Sequence, residues 1–314
     1  MKLKKPKFWD YKKPNIYAKL LYPFSKILEI FNYKKIYLKK KFPEIFTICV
    51  GNIYIGGTGK TSISIEIKKI LDNLNIKSCF IKKEYYSQKD EQKLLSNYGK
   101  VYTNKNRVES ITQAIQDGYP VAIFDVGLQD FSIDYDISIV CFNKKNGIGN
   151  GYTLPAGPLR QNLKTLKNYQ YVFFTGNNEN FNELENKIKL YNQNIRSYES
   201  KYLPLNINKL NLDKKYIVFS GIGNHGTFID MLKNYNFKII KEIEYPDHHN
   251  YTNHDLTKLE ILSKKNNAIL LTTEKDFLRL NENNQKNIKF IKVDLKINKI
   301  DEIKNILISG YEKS

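Results

Sequence analysis

Short apolar runs alternate with helical periodicity through the first half of the chain. Residues 45–50 form an almost continuous apolar run, which is typical of a strand buried on both faces of a sheet. Residues 60–74 then place Ile63, Ile67 and Ile70 on one face, as an amphipathic helix does. Further strands are predicted at residues 77–82, 100–102, 121–124 and 137–142. This alternation predicts a parallel sheet with helices on both faces.

The pattern restarts in the second half, after a glycine- and proline-rich loop at residues 147–160. Strands are predicted at residues 171–174, 215–220, 268–272 and 289–293, and helices near 226–235 and 255–265. Residues 176–212 are rich in Asn and Lys and show little periodicity. The sequence therefore predicts two α/β domains with a boundary near residue 165, and a chain of 314 residues is long enough for both.

The first 41 residues differ from the rest in charge. The chain carries a net charge of +19, and residues 1–41 supply +11 of it through thirteen lysines against Asp10 and Glu29. Apolar residues recur there at helical spacing, namely Ile16, Leu20, Phe24, Ile27 and Phe31. The pattern predicts a basic amphipathic helical segment over residues 1–41, kinked or divided in two at Pro23.

An amphipathic helix of this kind can pack on the protein's own core or lie on an anionic membrane surface. Each lysine near anionic lipid contributes on the order of 1 kcal/mol, and Trp9 would add apolar contact, so the membrane interpretation is favoured. No apolar run approaches the roughly 20 residues that span a bilayer, and no cleavable signal peptide is indicated. Nucleic acid is the rival acidic partner, but the sequence contains no module that binds it.

Three cysteines indicate the redox environment. Cys49, Cys79 and Cys141 are odd in number, far apart and flanked by apolar residues. We predict buried thiols in a reducing compartment, since the spacing fits neither a disulfide framework nor a zinc site. The chain is therefore expected to face the cytosol.

The strongest chemical signal lies between the first predicted strand and the helix that follows it. It consists of Gly56, Gly57, Thr58, Gly59, Lys60 and Thr61. Backbone N–H groups of such a P-loop surround phosphate oxygens, Lys60 reaches the terminal phosphates and Thr61 binds Mg²⁺. The strict pattern has glycine where this chain has Tyr54, and an ordinary glycine turn is the alternative. Asp125 closes an apolar strand, where a P-loop fold places the acidic residue that organises Mg²⁺.

Other polar strings are ambiguous on sequence alone. Residues 245–249 read Tyr-Pro-Asp-His-His, so His248 or His249 could act in acid–base chemistry. A zinc site or a surface pair of histidines is the alternative. Residues 154–160 end in Arg160, which would suit a phosphate, but their two prolines also suit a stiff linker. The polar strings at residues 104–107 and 271–276 could likewise have either a functional or a structural role.

These strings, in this order, resemble the tetraacyldisaccharide 4'-kinase family of lipid A biosynthesis. The matching segments are residues 5–9, 50–52, 56–61, 125–129, 147–160, 221–224, 246–249 and 272–276. Any one string is weak evidence, whereas their shared order over most of the chain is specific. The resemblance implies two α/β/α sandwich domains with the nucleotide between them. Residues 42–165 would hold a P-loop NTPase-like parallel sheet, and residues 166–314 would form the second domain.

The resemblance also implies an activity. The family transfers the γ-phosphoryl group of ATP, with Mg²⁺, to the 4'-hydroxyl of a tetraacyl disaccharide 1-phosphate, a lipid A precursor. It acts peripherally at the cytoplasmic face of the inner membrane, which suits the basic N-terminal segment, and a monomer is expected. The main rival within this fold is a membrane-associated P-loop ATPase that works as a nucleotide switch without a lipid acceptor.

Site residues carry over from the family by position. The Asp of the family's Gly-Asp-Glu-Pro string corresponds to Asp90, which would activate the hydroxyl with support from His248 or His249. Lys60 joins them as a catalytic residue. Four further residues are candidates for substrate binding, namely Glu91, Arg107, Gln129 and Arg160.

The chain departs from the family pattern at three places. The second residue of an Asp-Asp-Gly string is Val126, so one acidic residue near the metal is missing. A Ser-Arg-Gly-Tyr-Gly string is replaced by residues 82–86, Lys-Lys-Glu-Tyr-Tyr, without its glycines. Ser62 replaces a proline after the P-loop threonine. We expect the first two departures to affect metal binding and the geometry of the loop before Asp90.

Overall fold

The computed structural model describes residues 5–33, 39–84, 89–130, 132–177 and 180–313. Within these ranges the strands are β1 (Phe46–Gly51), β2 (Ser78–Lys83), β3 (Val101–Asn104), β4 (Val121–Asp125), β5 (Ile137–Asn143), β6 (Tyr171–Thr175), β7 (Arg196–Pro204), β8 (Lys215–Ser220), β9 (Lys238–Glu244), β10 (Ala268–Thr273), β11 (Ile288–Ile291) and β12 (Val293–Ile297). The α-helices are α1 (Ile16–Tyr33), α2 (Lys60–Asn73), α3 (Lys89–Ser96), α4 (Arg107–Gln116), α5 (Asn182–Lys189), α6 (His225–Asn234), α7 (Asn253–Asn266), α8 (Glu274–Phe277), α9 (Glu282–Gln285) and α10 (Ile300–Glu312). Short 3-10 helices occupy Lys7–Asp10, Leu163–Asn168 and Ile207–Lys209.

The described strands form two sheets. The larger sheet has the order β12-β7-β6-β5-β1-β4-β2-β3, and every pairing in it is parallel except that of β12 with β7. The smaller sheet has the order β11-β10-β8-β9 and is parallel throughout. The predicted α/β class with parallel sheets is confirmed.

Helices cover both faces of each sheet. Successive residues of β1 pack on opposite faces, Ile48 and Val50 towards α2 and α10 and Cys49 towards α4 and α5. The smaller sheet lies between α6, which contributes Phe228, and α7, which contributes Leu259. Burying each large apolar side chain contributes roughly 1.5–3 kcal/mol, which is why such sheets are covered on both sides. Both sheets therefore have the three-layer α/β/α arrangement that was predicted.

The sheets do not divide the chain at residue 165. Strands β6, β7 and β12 all lie C-terminal to that point, yet they belong to the larger sheet. The chain enters the smaller sheet between Pro204 and Lys215 and returns to the larger one at Val293. The predicted ranges 42–165 and 166–314 therefore do not match the sheets. The apolar pattern of the sequence did not predict this assignment of strands to sheets, because the long-range pairing of β12 with β7 leaves no local signal.

Helix α1 presents its apolar stripe to solvent. Ile16, Leu20 and Phe24 are 63%, 66% and 58% exposed, whereas Ala18 and Ser25 on the other side are fully buried. The stripe therefore does not pack on the core of the described chain. The side chain of Phe31 lies outside the described residues.

Pro23 lies inside α1, so of the two predicted alternatives, a kink or a division into two helices, the division is wrong. Pro23 is exposed, and water can reach the carbonyl oxygen that its missing N–H leaves unbonded. Across the described ranges, no helix is both long enough and apolar enough to cross a membrane.

The three cysteines lie in the interior of the larger sheet. All are buried with free thiols, as predicted. Burial raises the pKa of Cys79 and of Cys141 to about 12. These thiols therefore stay protonated at neutral pH and act as small apolar groups in packing.

Candidate active site

The P-loop lies at the carboxyl end of β1 and leads directly into α2. Gly59, the residue before α2, has a φ of 83°, a left-handed conformation that favours glycine. The Asn52 amide donates hydrogen bonds to the carbonyl oxygens of Tyr54 (2.5 Å) and Gly56 (3.2 Å), which fixes the curve of the loop. Thr58 Oγ1 is buried and has no hydrogen-bond partner among the described residues. A buried hydroxyl of this kind suits the phosphate oxygens of a nucleotide.

Tyr54, at the position of the first glycine of the strict pattern, contacts the N-terminal segment. Its buried hydroxyl donates to Asp10 Oδ1 at 2.5 Å and accepts a hydrogen bond from Lys5 Nζ at 2.8 Å. Burial, together with the Asp10 carboxylate, raises the pKa of Tyr54. The Tyr54 side chain is therefore engaged outside the phosphate-binding turn, and the glycines that follow form that turn.

Asp125 connects the P-loop to strand β2. The parallel register of β1 and β4 places Asp125 opposite Val50, the next-to-last residue of the strand that leads to the P-loop. Thr61 Oγ1 lies 3.3 Å from Asp125 Oδ2, and Lys82 Nζ lies 2.5 Å from the same oxygen. Burial would lower the pKa of Lys82, but the carboxylates of Asp125 and Glu91 raise it well above its usual range. Lys82 is therefore a buried ammonium ion.

Thr61 and Asp125 are the residues that would hold Mg²⁺. Hydroxyl and carboxylate oxygens are donors that Mg²⁺ prefers, and this ion commonly takes its other ligands from water and substrate phosphates. Within the described part of the chain, no three His, Cys, Asp or Glu side chains form a group that could hold a metal by themselves. The residues present therefore fit a Mg²⁺ ion that is held largely by a nucleotide.

Asp90, in the first turn of α3, meets His248, in the loop after β9. His248 Nδ1 lies 3.1 Å and 3.2 Å from the two oxygens of the Asp90 carboxylate. An ionised carboxylate only accepts hydrogen bonds, so His248 must carry a proton at Nδ1. His248 also has a φ of 54°, a left-handed conformation that is uncommon outside glycine. The pair joins residues 158 positions apart in the sequence.

His249 has a different set of contacts. Its Nε2 lies 3.0 Å from Asp255 at the start of α7, and its ring stacks on Tyr245 at 4.6 Å. These contacts hold the loop that carries His248. Of the two histidines, the structure brings His248 to Asp90.

Three cations surround Asp90 and Glu91, and the sequence analysis assigned none of them a role in the site. Arg279 Nη2 lies 2.6 Å from Asp90 Oδ2, and Lys275 Nζ lies 2.5 Å from Glu91 Oε1. Lys82 Nζ lies 2.6 Å from Glu91 Oε2. Lys275 and Arg279 are four residues apart directly after β10, a spacing that places them on one face of a helical turn and was the available signal.

Burial and charge act in opposite directions on these carboxylates. Burial would raise the pKa of Asp90, but the His248 hydrogen bond and the charges of Lys275 and Arg279 hold it well below its usual range. Lys275, Lys82 and Lys60 do the same for the pKa of Glu91 against its burial. Both carboxylates are therefore ionised at neutral pH.

The P-loop touches the loop that follows β8. A Cβ atom on Gly223 would lie 2.3 Å from the backbone N of Gly57, so only glycine permits this approach. The loop 221–224 belongs to the smaller sheet, and the P-loop belongs to the larger one. The candidate site therefore lies at the junction of the two sheets.

The residues expected to bind substrate have unequal surroundings. Arg107 is buried, and its guanidinium donates to Asp130 (2.8 Å) and to the carbonyl oxygen of Val126 (2.5 Å). Gln129 Nε2 donates to the carbonyl oxygen of Asn52 at 2.6 Å. These contacts brace the loop after β4, and Glu91 is held by the lysines described above. Arg160 is exposed, and its charge helps to lower the pKa of Lys60, behind burial as the main cause.

The fold is parallel α/β, with a P-loop after one strand and an acidic residue on the adjacent strand, and an Asp–His pair lies at the junction of the sheets. Together these features define a P-loop nucleotide-binding protein. A family model described as LpxK, Tetraacyldisaccharide-1-P 4'-kinase, matches residues 17–310. The chain belongs to this family.

Named relatives agree with this assignment, and a solved structure shares the fold. Tetraacyldisaccharide 4'-kinase of Pelagibacter ubique (strain HTCC1062) is 53% identical, with 100% of each chain covered. The protein of the same name from Rickettsia rickettsii (strain Sheila Smith) is 35% identical, with 96% of this chain and 97% of the relative covered. A crystal structure of apo-form LpxK from Aquifex aeolicus in complex with ATP superposes with a TM-score of 0.69 at 22% identity, covering 94% of this chain and 99% of that one. The solved structure shares the fold.

Proposed function

We propose that this chain transfers the γ-phosphoryl group of ATP, with Mg²⁺, to the 4'-hydroxyl of a tetraacyl disaccharide 1-phosphate. The description of its family and the names of its relatives support this reaction. The observation that carries the proposal is the contact of Asp90 with His248, because it gives the P-loop site a fixed carboxylate for an acceptor hydroxyl. Glu91, the next residue, connects that carboxylate to Lys82 and Asp125 beside the P-loop.

The residues divide the work of phosphoryl transfer. Lys60 and the backbone of residues 56–59 bind the phosphates, and Mg²⁺ at Thr61 and Asp125 would neutralise their charge. Asp90 orients the acceptor hydroxyl and takes its proton. A low pKa does not disqualify Asp90, because a loose transition state needs little deprotonation of the nucleophile before transfer. His248 supports Asp90 by keeping its carboxylate in one orientation.

The location of the substrate gives the N-terminal segment a role. We propose that the exposed apolar stripe of α1 and the lysines around it hold the protein, as a monomer, on the anionic cytoplasmic face of the inner membrane. Of the four residues expected to bind substrate, exposed Arg160 is best suited to a phosphate group. Glu91, Arg107 and Gln129 would then act through the loops that they hold.

The test is transfer of labelled γ-phosphate from Mg·ATP to a tetraacyl disaccharide 1-phosphate in detergent micelles. We expect labelled lipid with the native chain and a loss of about 100-fold or more with Lys60→Ala and with Asp90→Ala. Asp301→Ala is the matched control, because this carboxylate is exposed on α10 and paired only with Lys304 in the described structure. ATP hydrolysis without labelled lipid would overturn the proposal and favour a nucleotide switch.

A further inference from the structure

Lys82 lies at the centre of a buried charge cluster. Its side chain is 1% exposed, and its ammonium group lies 2.5 Å from Asp125 Oδ2 and 2.6 Å from Glu91 Oε2. Asp125 ends β4 and Glu91 lies in the first turn of α3, so two carboxylates from different elements converge on one cation. A buried ion pair of this kind is held tightly, because removing one member leaves an uncompensated charge in the interior.

Two converging carboxylates are also a common way to hold a divalent ion. Mg²⁺ and Mn²⁺ favour carboxylate oxygens and are often bound through one or two of them. In this chain the ammonium group of Lys82 occupies the position between the Asp125 and Glu91 carboxylates where such an ion would bind. The same end of the sheet carries Val126 in place of a second acidic residue, which further reduces its attraction for a divalent ion.

We propose that Lys82 is a built-in cation of the active site that takes the place of a divalent ion between Asp125 and Glu91. As a positioning residue, it fixes the start of α3, and with it Asp90, against the end of β4. One consequence is that this chain would bind its metal together with the nucleotide, through Thr61, Asp125 and the phosphates, instead of binding it beforehand. The role of Asp90 in this inference rests on the proposed function, whereas the charge argument does not.

The test is a Mn²⁺ titration of the nucleotide-free protein, followed by the electron paramagnetic resonance signal of free Mn²⁺. Lys82→Met removes the ammonium and keeps the apolar chain, so we expect Mn²⁺ to bind at least about tenfold more tightly than to the native protein. Lys83→Met is the matched control, since neighbouring residues of a strand point to opposite faces. A second change, Glu91→Gln in the Lys82→Met background, should abolish the gain.

If Lys82→Met folds poorly, the melting temperature measured with and without Mn²⁺ provides a second test. We then expect Mn²⁺ to raise the melting temperature of Lys82→Met, while the native protein and Lys83→Met show no comparable shift. Lys82→Met that gains neither affinity for Mn²⁺ nor stability from it would overturn the inference. The titration uses neither ATP nor lipid, so a gain of Mn²⁺ binding stands even if lipid labelling fails.

Discussion

The Asp90 carboxylate is held from three directions by side chains of the smaller sheet and its loops. Arg279 donates to it from Nε at 3.1 Å and from Nη2 at 2.6 Å, His248 approaches at 3.1 Å, and Lys275 lies 3.7 Å away. Arg279 Nη1 also donates to Asp276 and to the carbonyl oxygen of Gly221. The planar guanidinium therefore connects the Asp90 carboxylate to the loops of the smaller sheet.

Arg279→Lys tests this positioning role. Lysine keeps the charge but cannot form the fork of hydrogen bonds to Asp90, Asp276 and Gly221. We expect kcat for lipid phosphorylation to fall by about tenfold to 100-fold, because a small misplacement of a catalytic group is costly, while KM for ATP stays close to native. Arg196→Lys is the control, because Arg196 is the exposed first residue of β7. An unchanged kcat would assign Arg279 a structural role only.

At the residue scale, sequence reasoning indicates a site most directly where the residues that form it are close together in the chain. The P-loop glycines, Lys60 and Thr61 are adjacent in the chain, so their spacing alone indicated a phosphate site. The choice between His248 and His249 depends on contacts with Asp90 and Asp255 that no spacing encodes. Lys82 was read only as part of a changed string, because its two carboxylate partners come from β4 and α3.

At the scale of elements, the apolar pattern predicted most strands but not how they divide between the sheets. Strand β7 alternates buried Tyr198 and Ser200 with more exposed polar residues, which looks like an aperiodic polar stretch when read one residue at a time. Its partner β12 follows about 90 residues later. Pairings over such distances depend on the whole chain, so the boundary near residue 165 could not be corrected from the sequence.

The contact between the P-loop and the loop after β8 should affect the affinity for the nucleotide. Gly223→Ala would place a methyl group 2.3 Å from the backbone N of Gly57, and backbone on both sides cannot yield cheaply. We expect the two loops to separate and the affinity for Mg·ATP to fall by about tenfold, measured by calorimetric titration.

Gly226→Ala is the control for that experiment. Gly226 lies in α6, and a Cβ atom there would meet only the flexible end of the Lys145 side chain, 3.1 Å away. We expect this variant to bind Mg·ATP as the native chain does. Equal affinity for all three proteins would mean that the loop contact does not shape the nucleotide site.

At the scale of the whole molecule, Trp9 and helix α1 are hydrogen-bonded to the loop 147–160 that follows β5, and the apolar stripe of α1 faces outward. Ser25 Oγ donates to the carbonyl oxygen of Thr153, and Glu29 accepts from the Thr153 hydroxyl, both at 2.8 Å. Trp9 Nε1 donates to the carbonyl oxygen of Pro155 at 3.1 Å, so Trp9 is engaged with the protein instead of being free for lipid. These bonds fix the direction of the stripe relative to the P-loop domain.

The sequence alone left two positions for this stripe, on the core or on a membrane. The described structure excludes the core for Ile16, Leu20, Phe24 and Ile27, each of which is more than half exposed. Exposed apolar residues in a row normally mark an interaction surface. The thirteen lysines of residues 1–41 are complementary in charge to the anionic lipid surface that we propose as the partner.

Charging the stripe should therefore release the protein from lipid without unfolding it. We expect Leu20→Asp combined with Phe24→Asp to lower co-sedimentation with anionic phospholipid vesicles by about tenfold or more, since each buried large apolar side chain is worth roughly 1.5–3 kcal/mol. Leu190→Asp is the matched control, because Leu190 is 82% exposed at the end of α5. Binding should also weaken with added salt, as the lysine contribution is screened. Equal sedimentation of all three proteins would mean that α1 does not contact the membrane, and the apolar stripe would then need a protein partner.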